Sequence, residues 1–498
     1  MKFSNLIYIL LLNILFTACA VSNHAVYSPQ KKIAPQQLKE DLQVMVETLR
    51  NNHPSLTWYT SQDTINASFQ RAYGLLKDSM NEIEFRNLIS ETVFPIRCGH
   101  TSVRFSTNYY KYIRKHREAG FPLGLKIISD SSLVVTTNLF RRDSVIRTGT
   151  VIQSINGLSA KKIIDSLLPL ISIDGYSKNF SYQNLSNSFS TYYNNRFGEQ
   201  KNYTISFLNQ RGEVEQKVLN KFNPLKDTAD RRPFVVDPLR IPQQQISRHQ
   251  RQLQRIRSFQ IDSTNSFATL RLNSFGPGLR RHYLRKTFRE LKNKKIDQLV
   301  IDVRNNGGGI IKTSMFLTKL IKSKPFVFAD SIYSTHRKIR SSAKVYKRVI
   351  YNLGLFFLTK KVSDSQFHFR YFNTKTVLPA KNNFNGQIYI LTGGYSFSAT
   401  TLFAAAVKGQ ENVSIVGEET GGGFYGNNGV FITEMVLPHS KLRVRVPLFR
   451  IVNNIHYPKN GRGVLPDIEI KPNAETIRLN KDPKMEKVIE LIKQKKNK

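Results

Sequence analysis

Two hydrophobic periods alternate along this chain. In its first quarter the period is helical: Leu38, Leu42, Met45, Val46 and Leu49 share one face, and 67–76 and 83–93 repeat the pattern. Pro95 predicts the end of that helical region, and Ser102–Phe105 reads as the start of a strand. The segment 121–168 then reads as short strands, near 123–128, 132–136 and 151–157, followed by a helix over 163–168. Further on, Phe267–Phe275 alternates as a strand and 279–291 returns to helical spacing. An apolar run from Ile296 to Val303 predicts a buried strand. It ends in Gly307-Gly308-Gly309, with a helix expected over 311–321.

The same order of elements recurs at 387–416. Gln387–Leu391 reads as a buried strand and Gly393-Gly394 as a tight turn. Ser398 opens an Ala-rich helix expected to run to about Lys408, and a strand at 413–416 ends in Gly421-Gly422-Gly423. Repeated strand, glycine turn and helix predict an α/β architecture with crossover helices. In such sheets ligand sites form at the carboxyl ends of strands, where both glycine turns would lie.

Length and composition adjust this picture. The chain has 498 residues, too many for one ordinary core, so a multidomain protein is expected. Lys and Arg exceed Asp and Glu by 40, a surface field that attracts anionic partners. No zinc-finger spacing, Walker loop or aromatic RNP pattern accompanies it, so nucleic acid is not an expected partner. There are two cysteines, Cys19 and Cys98, which excludes a disulfide framework. The ten histidines are scattered and there is no His-Glu-x-x-His. No metal and no other cofactor is expected.

At the N-terminus, Lys2 precedes a mostly apolar run, Leu6–Phe16, too short for a membrane span, and then Thr17-Ala18-Cys19. The ending Leu15-Phe16-Thr17-Ala18-Cys19 resembles a bacterial lipoprotein signal, with Phe16 where Leu is usual. That resemblance implies lipidation of Cys19, a tether over 20–37, and an outer-membrane lipoprotein facing the periplasm. Near the middle, 238–258 is rich in Gln and Arg and reads as a linker or an exposed basic helix.

Two side chains carry the candidate chemistry. Ser398 stands where a helix N-terminus can stabilise an oxyanion, although a serine there is first of all a helix cap. His100 sits on a Gly-flanked turn, where histidines are more often structural than catalytic. Gly307–Gly309 lacks the Lys-Ser/Thr of a phosphate loop and suits backbone N–H donors for an oxyanion.

Taken together, LVIDVRNNGGG, SFSATTLFAAAV with IVGEETGGG, and GRGVLPDIEI resemble, in this order, the S41 peptidases, which include tail-specific and tricorn-type proteases. The resemblance covers most of 38–470. It implies a ClpP/crotonase-like α/β catalytic core over 261–475, with a basic insertion at 331–381. An N-terminal helical region (38–117), a PDZ-like β domain (118–212), a basic linker (213–260) and a C-terminal basic helix (476–498) complete the expected layout. The PDZ-like part rests on Arg147–Gly157, which resembles a signature of domains that bind extended peptides.

By the same resemblance Ser398 is the nucleophile, in the middle of Ser396, Ser398 and Thr400; the glutamate usual just after is Thr401. Tail-specific proteases place a lysine base where this chain has Gly423. Lys408 lies ten residues along a helix, roughly 15 Å away, so a Ser-Lys dyad is not expected. His100 matches the tricorn-type base, and Gly99 stands where those sites carry a serine. The third member is open: Asn460, Asp467 or none. The oxyanion hole would combine the N–H of Ala399 with that of Gly308 or Gly309. The implied function is a lipid-anchored serine endopeptidase acting on peptides or proteins. The alternative is an inactive protein of the same fold that binds a peptide or an envelope polymer, with a lipid-binding role ranked below both.

Overall fold

The computed structural model of the chain describes residues 27–116, 120–227, 247–264, 266–370 and 376–496. The Cys19 signal lies outside them. No helix among the described residues is long and apolar enough to cross a membrane.

The catalytic-core expectation rests on a six-stranded sheet. From one edge, its strands are Ile468–Glu469, Val413–Gly417, Gln387–Thr392, Gln298–Asp302, Ala268–Leu272 and Arg257–Ile261. All neighbours are parallel except the last pair. Gln298–Asp302 is buried at every position, as a central parallel strand covered on both faces must be. Helices Arg281–Asn293, Ile311–Lys319 and Ala399–Val407 cover one face with Leu284, Leu317 and Phe403. The C-terminal helix Pro483–Lys496 covers the other with Val488 and Ile492. It is docked rather than free: Lys484 is buried and reaches Glu418 at 2.5 Å and the Thr392 carbonyl at 3.0 Å.

A second, seven-stranded sheet is antiparallel. Its long hairpin, Gly426–Val436 with Arg443–Val452, carries Ser331–Ser334 and Val103–Arg104 on its far edge and Lys344–Val345 on its near one. The basic insertion expected at 331–381 contributes strands to this sheet. Ser331–Ser334 pairs with Arg443–Val452, and Thr359–Ser363 and Gln366–Phe369 extend the same sheet. The strand signal in 331–369 was masked by its charge. This sheet shares one apolar core with the N-terminal helices Pro35–Asn52, Gln62–Leu75 and Glu82–Val93.

The third core belongs to a small antiparallel sheet, Leu123–Ser129, Ser132–Asn138, Val151–Ile155, Asn202–Leu208 and Val214–Asn220, backed by helices Ala160–Leu167, Asn179–Asn187 and Phe189–Phe197. Asn156 and Gly157 both adopt positive φ, 52° and 78°, which closes the turn between Val151–Ile155 and Leu158–Ser159. The linker expected at 213–260 shrinks from both ends. Val214–Asn220 completes this small sheet, and Arg257–Ile261 forms the edge of the parallel one. Between them Arg248–Ile256 is a helix with no buried residue, the exposed basic helix that its composition allows. The tether is also partly bound: Tyr27 donates to Glu82 at 2.6 Å, and Ile33 bridges Met80.

Candidate active site

Ser398 sits between the Gln387–Thr392 strand and the Ala399–Val407 helix with φ 57° and ψ −123°. A non-glycine residue in that region carries strain of about 1–3 kcal/mol and persists only where its surroundings over-determine it. They do so here. The Phe397 N–H donates to the Asn306 carbonyl at 3.1 Å, and the Ser396 hydroxyl donates to the Val303 carbonyl at 2.8 Å. The Ser396 carbonyl in turn accepts from Gly421 N–H and from the Thr401 hydroxyl, both at 3.1 Å. Ser396 and Thr401 therefore hold the turn, and Ser398 is free of it. Its hydroxyl makes no capping bond. Instead Ser398 Oγ lies 3.1 Å from His100 Nε2, across 298 residues of sequence. The cap explanation of Ser398 is thus replaced by a side chain aimed at an imidazole.

His100 reaches that position through a short turn after the Glu82–Val93 helix, closed by Thr101 N–H on the Cys98 carbonyl at 3.0 Å. Beyond it, Val103–Arg104 pairs with Val444 and Arg443 and fixes the turn to the antiparallel sheet. The His100 ring packs on Phe397 at 4.8 Å, and Phe397 stacks on Phe180 at 4.5 Å. This stack explains Gly99. A β-carbon there would stand 2.6 Å from the Phe397 ring, so no serine fits without displacing the ring that supports His100. Burial, then the charge of Arg445, then His53 pull the His100 imidazole down to about 3, so it is neutral at ordinary pH. If Nε2 accepts the serine proton, Nδ1 carries its own, and Nδ1 is buried with no hydrogen-bond partner among the described residues.

The expected third members do not supply that partner. Asn460 is exposed, and its Oδ1 accepts from the Arg462 N–H at 3.0 Å, a local turn bond. Asp467 is held by Lys408 and by the Ile415 N–H at 2.7 Å. Both assignments came from sequence distance to a motif, and the chain folds that loop outward. The acid that organises the loop is Glu419, in a two-pronged ion pair with Arg462 at 2.9 and 2.6 Å and accepting from Gly463 N–H at 2.7 Å.

The glycines divide the remaining work. Gly308 has φ +99°, and a β-carbon on it would lie 2.8 Å from Ser398 Cβ and 3.0 Å from Ala399 N. Its backbone therefore lines the space beside Ser398. Its own N–H, however, donates to Asn306 Oδ1 at 2.9 Å, so as an oxyanion donor it is already engaged. Ala399 opens its helix, and its N–H has no partner one turn back. At Gly423 a β-carbon would meet the Gly426 carbonyl at 2.5 Å, so this backbone has no room for a lysine base.

Sequence reading missed Asp174. It is buried, its Oδ1 accepts from Gly99 N–H at 2.7 Å, and Gly423 N–H also donates to it. One carboxyl thus ties the histidine turn to the third glycine cluster. Its only signal was an Asp-Gly pair inside the apolar run Ile171–Tyr176. We expect Asp174→Ala to destabilise the fold by about 2–4 kcal/mol, since two buried N–H groups lose their acceptor, and Asp174→Asn by less. Burial pushes the carboxyl up to about 7. An acid whose folded pKa lies above its unfolded one loses stability as pH rises between them. The deficit of Asp174→Asn should therefore narrow between about pH 4 and about pH 7, as urea unfolding midpoints would report.

Comparison with known proteins bears on the family and the fold. Residues 266–470 match the model of peptidase family S41. A tail-specific protease of Haemophilus influenzae is 23% identical over 165 residues, which are 33% of this chain and only 19% of that protein. The structure of mature CPAF complexed with lactacystin matches with a TM-score of 0.61 at 14% identity, over 92% of this chain and 98% of that one. A second structure of mature CPAF gives 0.60 at 14% identity, over 92% and 97%. At such identity the structural likeness speaks for the fold alone, and residues 266–470, which hold both glycine turns and Ser398, are similar to peptidase family S41.

Proposed function

We propose that this protein is a serine peptidase of the cell envelope, in which Ser398 is the nucleophile and His100 the general base. The observation that carries the reading is the 3.1 Å approach of Ser398 Oγ to a neutral, buried His100 Nε2 from a strained turn. In the proposed cycle His100 Nε2 takes the hydroxyl proton as Oγ attacks the scissile carbonyl carbon. The oxygen that becomes negative faces Ala399 N–H. The imidazolium returns its proton to the leaving amine, and water hydrolyses the acyl-enzyme by the same path. Peptides or proteins are the substrates, and the N-terminal signal would hold the enzyme to the membrane through lipidated Cys19, facing the periplasm.

A second reading, a binding protein on the same fold, draws on one observation. Among the described residues His100 Nδ1 has no carboxylate or other acceptor, so none of them stabilises an imidazolium. Treatment of the full chain with a fluorophosphonate probe, followed by peptide mapping, separates the two. Covalent modification at Ser398 is expected. A folded protein that stays unmodified would leave the binding reading standing.

A further inference from the structure

The helix Arg348–Leu358 is apolar on two faces, and the core uses only one. Tyr351, Leu355 and Leu358 pack inward against the antiparallel sheet, and Gly354 lies so close to Phe431 that a β-carbon would stand 2.6 Å from its ring. The helix is thus a fixed part of the fold, held further by Ile339 N–H on Asn352 Oδ1 at 2.8 Å. On its outer face Val349, Ile350, Leu353, Phe356 and Phe357 recur at helical spacing and are 71, 63, 52, 56 and 64% exposed, and Tyr346, just before the helix, is 59% exposed. A stripe of this kind on a rigid helix is unusual for a surface that meets only water.

Its charged surroundings indicate what covers it. Across 331–363 the chain has eight Lys or Arg residues and no Asp or Glu. Lys344, Lys347, Lys360 and Lys361 are exposed at the two ends of the stripe, and the first acid beyond it, Asp364, is paired with Lys361. An apolar helical face bordered by lysines has the composition of a helix lying in the plane of a bilayer, with side chains among the acyl chains and ammonium groups at the headgroups. A second copy of the chain is a poorer occupant. A two-fold contact would set the same basic border against itself.

We infer that this face docks on an anionic lipid surface, independently of any anchor at Cys19. The chain contains one tryptophan, Trp58, which is buried, so an indole introduced by Phe357→Trp reports on the face. The full-length variant would be mixed with vesicles of phosphatidylcholine, with or without phosphatidylglycerol, carrying brominated acyl chains. The unsubstituted protein would serve as the Trp58 background. With phosphatidylglycerol the introduced emission should fall by at least about half. Adding Ile350→Glu and Leu353→Glu should abolish that fall without changing the circular dichroism or the labelling of Ser398. Emission that is unquenched while the protein sediments with the vesicles would overturn the inference. So would a dimer that the Glu substitutions convert to monomer with no effect on quenching, which would assign the face to contact between copies.

Discussion

Ser398→Ala and His100→Ala should each lower peptide hydrolysis by at least about 10³-fold, and the double variant should be little worse than either. On the proposed mechanism the two side chains act as one unit: the hydroxyl is a poor nucleophile until its proton leaves, and the proposed base, His100 Nε2, lies 3.1 Å away. Neither change should unfold the protein, because the turn is held by Ser396, Thr401 and Asn306 rather than by Ser398. The pH dependence separates this base from an ordinary histidine. The base must be neutral to act, and burial with Arg445 nearby lowers its pKa to about 3. The rate of fluorophosphonate labelling should therefore stay level as pH falls through about 6.5, the range where an unperturbed imidazole protonates. A decline centred there would mean that His100 is solvated or is not the base. The same shift makes it a weak base, so turnover should be slow.

Gly308→Ala should reduce kcat by about 10²-fold or more, through loss of the space where the oxyanion forms. The added methyl would stand 2.8 Å from Ser398 Cβ and 3.0 Å from Ala399 N, so either the nucleophile or the donor must move. The positive φ of 99° adds a strain of about 1–2 kcal/mol for any residue with a β-carbon. Gly307→Ala is the matched control: nothing lies within 4 Å of its β-carbon position, so activity and melting temperature should both stay near those of the parent. If Gly308→Ala lost stability without a larger loss of kcat, the loop would be scaffolding alone.

Much of the site was legible in the sequence because its signals are local. The strands Gln298–Asp302 and Gln387–Thr392 are unbroken apolar runs, and each ends in glycines that only a tight turn explains. The place of Ser398, between such a strand and an Ala-rich helix, was local, and so was the turn of His100 that Pro95 and Gly99 announce, but their chemical roles came from the resemblance to S41 peptidases. Asp174 was not legible, because nothing local distinguishes a carboxylate that accepts two distant N–H groups from one on a surface turn. The segment 331–369 was obscured by its basic residues, which mark solvent exposure as readily in a sheet edge as in a loop.

By itself, then, the sequence determined the strands and helices of the first quarter and of the two glycine-turn units, since hydrophobic period, proline and glycine act within a few residues. With the resemblance to S41 peptidases, it also pointed to a serine and a histidine worth pairing and to no lysine at Gly423. Only the tertiary structure decided that Ser398 and His100 meet, and that Asn460 and Asp467 bond elsewhere. It alone decided that Asp174 joins the two turns, and that one face of Arg348–Leu358 stays uncovered. Those outcomes depend on contacts between residues tens to hundreds of positions apart. Such contacts are set by the packing of three cores against one another and leave no periodicity in the chain.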